Sequence, residues 1–153
     1  MGRFEVVRDK SRVYPNVEIK LPTIATKDSA AFDIYSNETI TINPQESAWF
    51  WTDVKVKLRK GEHLITYPRS SVGIDMNLMI ANTNGLIDKD YYNNPNNDGN
   101  ILVVMFNIGK KSVTIHKGDR FVQAVVYKHV RNTEDFGHIL KRIRKGGIGS
   151  TGK

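Results

Sequence analysis

The chain has 153 residues, 39% hydrophobic and 25% charged, with Lys+Arg 23 against Asp+Glu 16 for a net charge of +7. That balance fits one globular domain with its own core and excludes a disordered chain. No apolar run approaches the about 18 residues that span a bilayer, and the first ten residues carry Arg3, Glu5, Arg8, Asp9 and Lys10, so a secretory core is not expected.

Cysteine is absent. This excludes disulfides, cysteine-ligated zinc and a thiol nucleophile, and it suits a reducing cytoplasm. In that setting the sequon Asn37-Glu38-Thr39 carries no meaning. Residues 138–153 hold Lys141, Arg142, Arg144, Lys145 and Lys153 and no acid, leaving the preceding body mildly basic. A basic, glycine-rich end can grip a polyanion, either nucleic acid or a small phosphate ester. Charge by itself favours a plain solvated terminus.

In chain order, apolar–polar alternation predicts half-buried strands over Val17–Leu21, Thr39–Ile42 and Val54–Leu58. Ser47–Thr52, with Trp49, Phe50 and Trp51, reads as an aromatic-rich strand. Leu64–Tyr67 follows the turn Arg59-Lys60-Gly61-Glu62. Short helical turns are expected after Pro68 and around Thr133–Phe136. The asparagine-rich stretch 93–100 reads as an inert polar loop. Ile101–Asn107 is nearly all apolar, as in a strand covered on both faces. Val113–Ile115 leads through Lys117-Gly118-Asp119 into a last strand, Arg120–Tyr127. Turn residues recur about every ten positions, which predicts a sandwich or barrel. The organisation expected is one β-sheet domain, residues 1–137, with a basic glycine-rich tail, 138–153.

Five segments carry chemistry. Ala30–Ser36 sets Asp33 among apolar neighbours, where a carboxylate needs a partner. Pro68–Gly73 ends a strand with Arg69, Ser70 and Ser71, suited either to phosphate or to an ordinary capped turn. Asn82–Tyr92 contains the turn signal Asn84-Gly85, then Asp88, Asp90, Tyr91 and Tyr92. A hairpin there can read a base edge through its main chain, with a tyrosine face against a sugar and a carboxylate as general base. It also fits a plain polar hairpin. Gly118–Val126 places the amide of Gln123 in an apolar strand, where it needs a partner or ligand. Arg144–Gly152 is rich in glycines that let the backbone approach phosphate. Gly147–Lys153 has Walker A spacing, but no Ser/Thr or helix follows Lys153, so a P-loop is rejected. The four histidines (63, 116, 129 and 138) lack zinc-site spacing.

Together and in this order, the five segments resemble the trimeric dUTPase family, with its patterns A-G-x-D-L, P-R-S-G-L, G-x-I-D-x-x-Y, G-x-R-x-x-Q and R-x-x-G-G-F-G-S-T-G. The resemblance spans residues 30 to 152. It implies an all-β, distorted jelly-roll or β-sandwich subunit with little helix, a homotrimer with shared active sites, and Mg²⁺-dependent hydrolysis of dUTP to dUMP and pyrophosphate. By the same resemblance Asp88 is the general base and Asp33 meets magnesium through water. Arg69, Ser70, Ser71 and Gln123 attend the triphosphate. Asn82 and the backbone of Gly85 and Ile87 read uracil, and Tyr91 packs under deoxyribose. Arg144, Ile148, Gly149 and Ser150 belong to the closing tail. Ala31 replaces the family glycine, Ser71-Val72 replaces Gly-Leu, and Ile148 replaces the stacking aromatic. The tail arginine is one residue out of register, which selects Arg144 with Arg142 as the alternative.

Two other functions remain to be weighed. A dCTP deaminase of the same fold calls for a catalytic Glu where this chain has Asp88. A non-enzymatic regulatory or nucleic-acid-binding protein would not need Asp33, Asp88, Tyr91 and Gln123 together. Nucleic acid and membrane are not expected partners; a regulatory protein partner is left open.

Overall fold

The computed structural model describes residues 2–130 and 144–147. Twelve strands and one short helix follow one another: β1 Arg3–Val6, β2 Thr23–Ile24, β3 Phe32–Tyr35, β4 Ile40–Ile42, β5 Ser47–Trp51, β6 Val54–Lys57, β7 Glu62–Pro68, α1 Ser70–Ile74, β8 Leu78–Ile80, β9 Gly85–Ile87, β10 Leu102–Asn107, β11 Val113–Ile115 and β12 Arg120–Lys128. The largest sheet runs β2-β3-β12-β7-β9, a second runs β5-β10-β8, and β1-β6 and β11-β4 form two-stranded ribbons. All pairings are antiparallel.

The core lies between the two main sheets. Phe50 of β5 meets Phe121 of β12 with ring centroids 4.7 Å apart, and Ile34, Leu64, Ile80 and Met105 are buried around them. A bulge between Arg120 and Val122 turns the consecutive residues Phe121 and Val122 both inward. Gly118 takes φ +88 in the turn before β12, a left-handed conformation that glycine adopts without a steric penalty. Among the described residues, no helix is long and apolar enough to cross a membrane.

The all-β expectation holds, and the helical turn after Pro68 is α1. The expected turn at 133–136 lies outside the described residues. Two strand expectations need correction. Over 17–20 exposure alternates, but Leu21 is exposed like Lys20 and the segment joins no ladder. Its approach is fixed instead by the Arg12 guanidinium, which donates to the carbonyls of Tyr14 and Val17. β10 is covered on one face only: Val103, Met105 and Asn107 are buried, while Leu102, Val104 and Phe106 are half-exposed. Across the ladder Leu102 faces Trp51 and Val104 faces Trp49, so apolar surface remains on that side. Loop 93–100 is polar yet partly buried. Asn94, Asp98 and Asn100 in it are buried and hydrogen-bonded.

Candidate active site

The large sheet carries two groups of polar residues. The first sits where β3, β12 and β7 run side by side. Ladder pairing sets Asp33 opposite Gln123, and Gln123 opposite Tyr67. Asp33 is 5% exposed and is held by two guanidiniums, Arg69 Nε at 3.0 Å from Oδ1 and Arg120 Nη1 at 3.1 Å from Oδ2. This answers the desolvation of a lone acid among apolar neighbours. Gln123 is half-buried and donates from Nε2 to the Pro68 carbonyl at 3.2 Å. Pro68 ends β7, and Arg69 begins the turn into α1, accepting the Gly73 N–H at 2.9 Å. Val72 buries itself and thereby leaves Ser70 and Ser71 exposed beside Arg69.

The second group surrounds a groove of about 810 Å³ on the other side of β7. Here β9 pairs with β7, Gly85 opposite Thr66 and Ile87 opposite Leu64. β9 is the last strand of its sheet, so its outer edge leaves main-chain N–H and C=O groups without a neighbouring strand. The turn before it places Thr83, not the glycine, in the left-handed region at φ 68. Gly85 is required for another reason. A Cβ there would lie 2.5 Å from Thr66 Oγ1, which accepts the Gly85 N–H at 3.0 Å. The expected hairpin is therefore not formed by β8 and β9, which pair into different sheets. The exposed Asn82 stands in the connection between them and accepts the Asn84 N–H at 2.8 Å.

After β9 the chain enters a 3-10 turn, Lys89–Tyr91, with Asp88 just before it. The Asp88 side chain is 47% exposed and accepts from Arg144 Nη2 at 2.6 Å. Arg144 Nε donates to Asp90 Oδ1 at 2.8 Å. Tyr91 stands between groove and core. Its hydroxyl donates to the Asn100 carbonyl and accepts from Asn97 Nδ2, both at 2.7 Å. Burial pushes the Tyr91 phenol up, partly offset by the Asn97 hydrogen bond and the Arg144 charge. Trp49 and Trp51 form the apolar wall, and Gly147 closes over Tyr91.

The structure thus gathers Asn82, Gly85, Ile87, Asp88, Tyr91 and Arg144 around one groove. Asp33, Arg69, Ser70, Ser71 and Gln123 do not line it. In sheet order β3 and β9 stand three strands apart, about 14 Å at the usual strand spacing. Ile148, Gly149, Ser150 and Arg142 lie outside the described residues. Sequence reasoning assigned no role to Arg120, Asp90 or Asn97. Arg120 falls within the G-x-R-x-x-Q pattern, which was its signal, whereas nothing in the sequence marked Asn97 among its neighbouring asparagines.

Comparison with known proteins agrees with this geometry. The dUTPase family model matches residues 17–152. The deoxyuridine 5'-triphosphate nucleotidohydrolase of Lactococcus lactis is 40% identical over 149 residues, covering 97% of this chain and 96% of that one. The enzyme of that name from Clostridium tetani is 32% identical over 138 residues, 89% of this chain and 91% of its own. The crystal structure of dUTPase from Streptococcus mutans superposes with a TM-score of 0.72 at 32% identity, over 84% of this chain and 97% of that one. The jelly-roll subunit and its ordered segments have the same source: the chain belongs to the dUTPase family.

Proposed function

We propose that this chain hydrolyses dUTP to dUMP and pyrophosphate in the cytoplasm, as a homotrimer whose sites draw on more than one subunit. The observation that carries the reading is β9. An open strand edge, able to read a base through its main chain, leads directly into Asp88 and Tyr91 on the wall of one groove. Asn82 and the backbone of Gly85 and Ile87 would take the uracil edge, and Tyr91 would lie under deoxyribose.

In the reaction Asp88 accepts a proton from water as the water oxygen bonds to the α-phosphorus. The bond from that phosphorus to the bridging oxygen breaks, and pyrophosphate leaves with the electron pair. Such chemistry is mostly positioning and electrostatics. Arg69, Ser70, Ser71 and Gln123 would attend the phosphates, and the tail with Arg144, Ile148, Gly149 and Ser150 would exclude water.

The separation of the two residue groups supports a shared site. A groove on one subunit can meet the Asp33–Arg69–Gln123 group of a neighbour, and the half-exposed strip of Trp49, Leu102 and Val104 offers apolar surface for the contact.

The residues fit Mg²⁺ carried mainly by substrate. Among the described residues no three His, Asp or Glu cluster into a cage. Asp33 gives one contact per oxygen to Arg69 and Arg120, and a carboxylate has about four acceptor positions, so it can still bind a metal's water. Bound there, the ion neutralises phosphate charge, consistent with its preference for few carboxylates, water and phosphate oxygens. Incubation with dUTP and Mg²⁺ tests the reading. Stoichiometric dUMP and pyrophosphate are expected; deoxycytidine triphosphate deamination, or no turnover, would sink it.

A further inference from the structure

Loop 93–100 is built around Tyr91. Asn94 accepts the N–H groups of Asn96 and Asn97 at 3.1 Å and donates to the Tyr91 carbonyl at 2.8 Å. Gly99, at φ +87, passes so close that a Cβ would lie 2.9 Å from the same carbonyl. The side chain of Asn97 faces two ways. Its Oδ1 accepts from Asn94 Nδ2 at 2.6 Å and from the Gly99 N–H at 3.1 Å, which fixes the amide plane. With the plane fixed, one N–H of its Nδ2 is aimed at the Tyr91 hydroxyl and donates to it at 2.7 Å. The hydroxyl's own proton goes to the carbonyl of Asn100, a fully buried residue anchored by Asp53. Tyr91 cannot turn without breaking two good hydrogen bonds.

We propose that Asn97 is a positioning residue that sets the site's selectivity for 2′-deoxyribose over ribose, by holding the Tyr91 ring where a 2′-hydroxyl would have to fit. The inference rests on the reading that Tyr91 lies under the sugar. An apolar wall rejects an added hydroxyl only weakly, by about 10² at best. It does so only if it cannot yield, since a supporting shell that lets the ring drift by an ångström loses the discrimination. Asn97 supplies that support from outside the segment that carries Tyr91.

The test is Asn97→Asp in the full chain, with kcat/KM measured for dUTP and for UTP. Asp keeps an oxygen for Asn94 and Gly99 but gives Tyr91 no N–H, leaving the ring one bond where it had two. A hydrogen bond of this kind is worth about 0.5–1.5 kcal/mol, so the dUTP/UTP ratio should fall about 2- to 12-fold, chiefly through a lower KM for UTP. A loop that merely supports the fold would slow both substrates alike and leave the ratio unmoved. Should Asn97→Asp fail to fold, Tyr91→Phe removes that bond together with the one to the Asn100 carbonyl and should lower the ratio at least as far. An unchanged ratio in the folded variant overturns the role of Asn97. Tyr91→Ala separates the two ideas. If it relaxes the ratio while Asn97→Asp does not, only Asn97 is wrongly assigned; if it too leaves the ratio unchanged, Tyr91 is not the sugar wall.

Discussion

Arg144 donates to Asp88 at 2.6 Å and to Asp90 at 2.8 Å, so the tail's guanidinium rests on the carboxylate proposed as the general base. A water near Asp88 would therefore stand beside this cation. For Arg144 to reach the triphosphate, substrate phosphates must compete with two carboxylates for it.

Asp88→Asn should abolish most turnover while sparing the fold. The amide cannot take a proton from water, and a positioned base contributes about 10²–10⁴-fold. The lost pair with Arg144 is half-exposed on the Asp88 side, and pairs of that kind are worth about 0–1 kcal/mol, so melting should barely move. Steady-state kcat, with calorimetric binding of a non-hydrolysable dUTP analogue as control, checks this. A kcat near wild type would remove Asp88 from the mechanism.

Light scattering at micromolar concentration should give three times the 17.4 kDa of one chain. The reason is geometric: the Asp33–Arg69–Gln123 group and the Asp88 groove are three strands apart in one subunit, and Trp49 is 56% exposed beside the groove. A closed ring of three heterologous contacts would bring unlike surfaces together and cover such strips. A monomer would mean that each groove works alone.

Strands whose alternation was matched by a neighbour were legible, as with β4 beside β11 and β6 beside β1. Val17–Leu21 shows the limit: alternation reports which side chains face inward, not whether a partner strand lies alongside. Asn84-Gly85 was legible as a turn but for the wrong reason, because what demands glycine is Thr66 on a strand nineteen residues earlier. The same holds for the groove. Asp88 and Tyr91 stood out from their segment, whereas Asn97 and Asp90 gain their roles from contacts that only the folded chain creates. Polar composition suggested that loop 93–100 faces solvent, but its asparagines satisfy one another and Tyr91, which makes burial affordable.

Acid stability should depend on Asp98. Its carboxylate is fully buried, accepting from Lys55 Nζ at 2.8 Å and from the Arg8 N–H at 2.8 Å. Burial alone would raise its pKa, but the hydrogen bonds from Lys55 and Arg8 outweigh this and hold it below the usual carboxylate value. A depressed folded-state pKa contributes stability above the unfolded value of about 3.9 and loses it as pH falls through the folded one. Asp98→Ala leaves Lys55 buried without its counter-charge, a loss of about 3–5 kcal/mol at neutral pH. Thermal melts of both proteins between pH 7 and pH 3 should show the gap shrinking below about pH 4. A gap that stays constant would show that the loss is one of packing.

The tail crosses loop 93–100 at Asn96, whose N–H donates to the Lys145 carbonyl at 3.2 Å. Beside that bond a Cβ on Gly146 would lie 2.5 Å from Asn96 Nδ2 and 3.3 Å from its Cβ, so glycine is what lets the two segments touch. Gly146→Ala should therefore lift the tail from the loop or force the Asn96 side chain aside. Asn96 is exposed and its amide can swing aside, so the variant should lower kcat/KM for dUTP only as far as closure depends on the undisturbed contact. The fold itself should not suffer, since neither residue belongs to the core. Asn96→Gly in the same chain removes the obstructing atoms and keeps the N–H that binds Lys145, so the double variant should recover most of the lost activity. Steady-state kinetics on the two single variants and the double variant decide it. Recovery means the tail works from this position on the loop. A defect that persists without the Asn96 side chain means that Gly146 is needed for something other than passing Asn96, and that the contact does not govern closure.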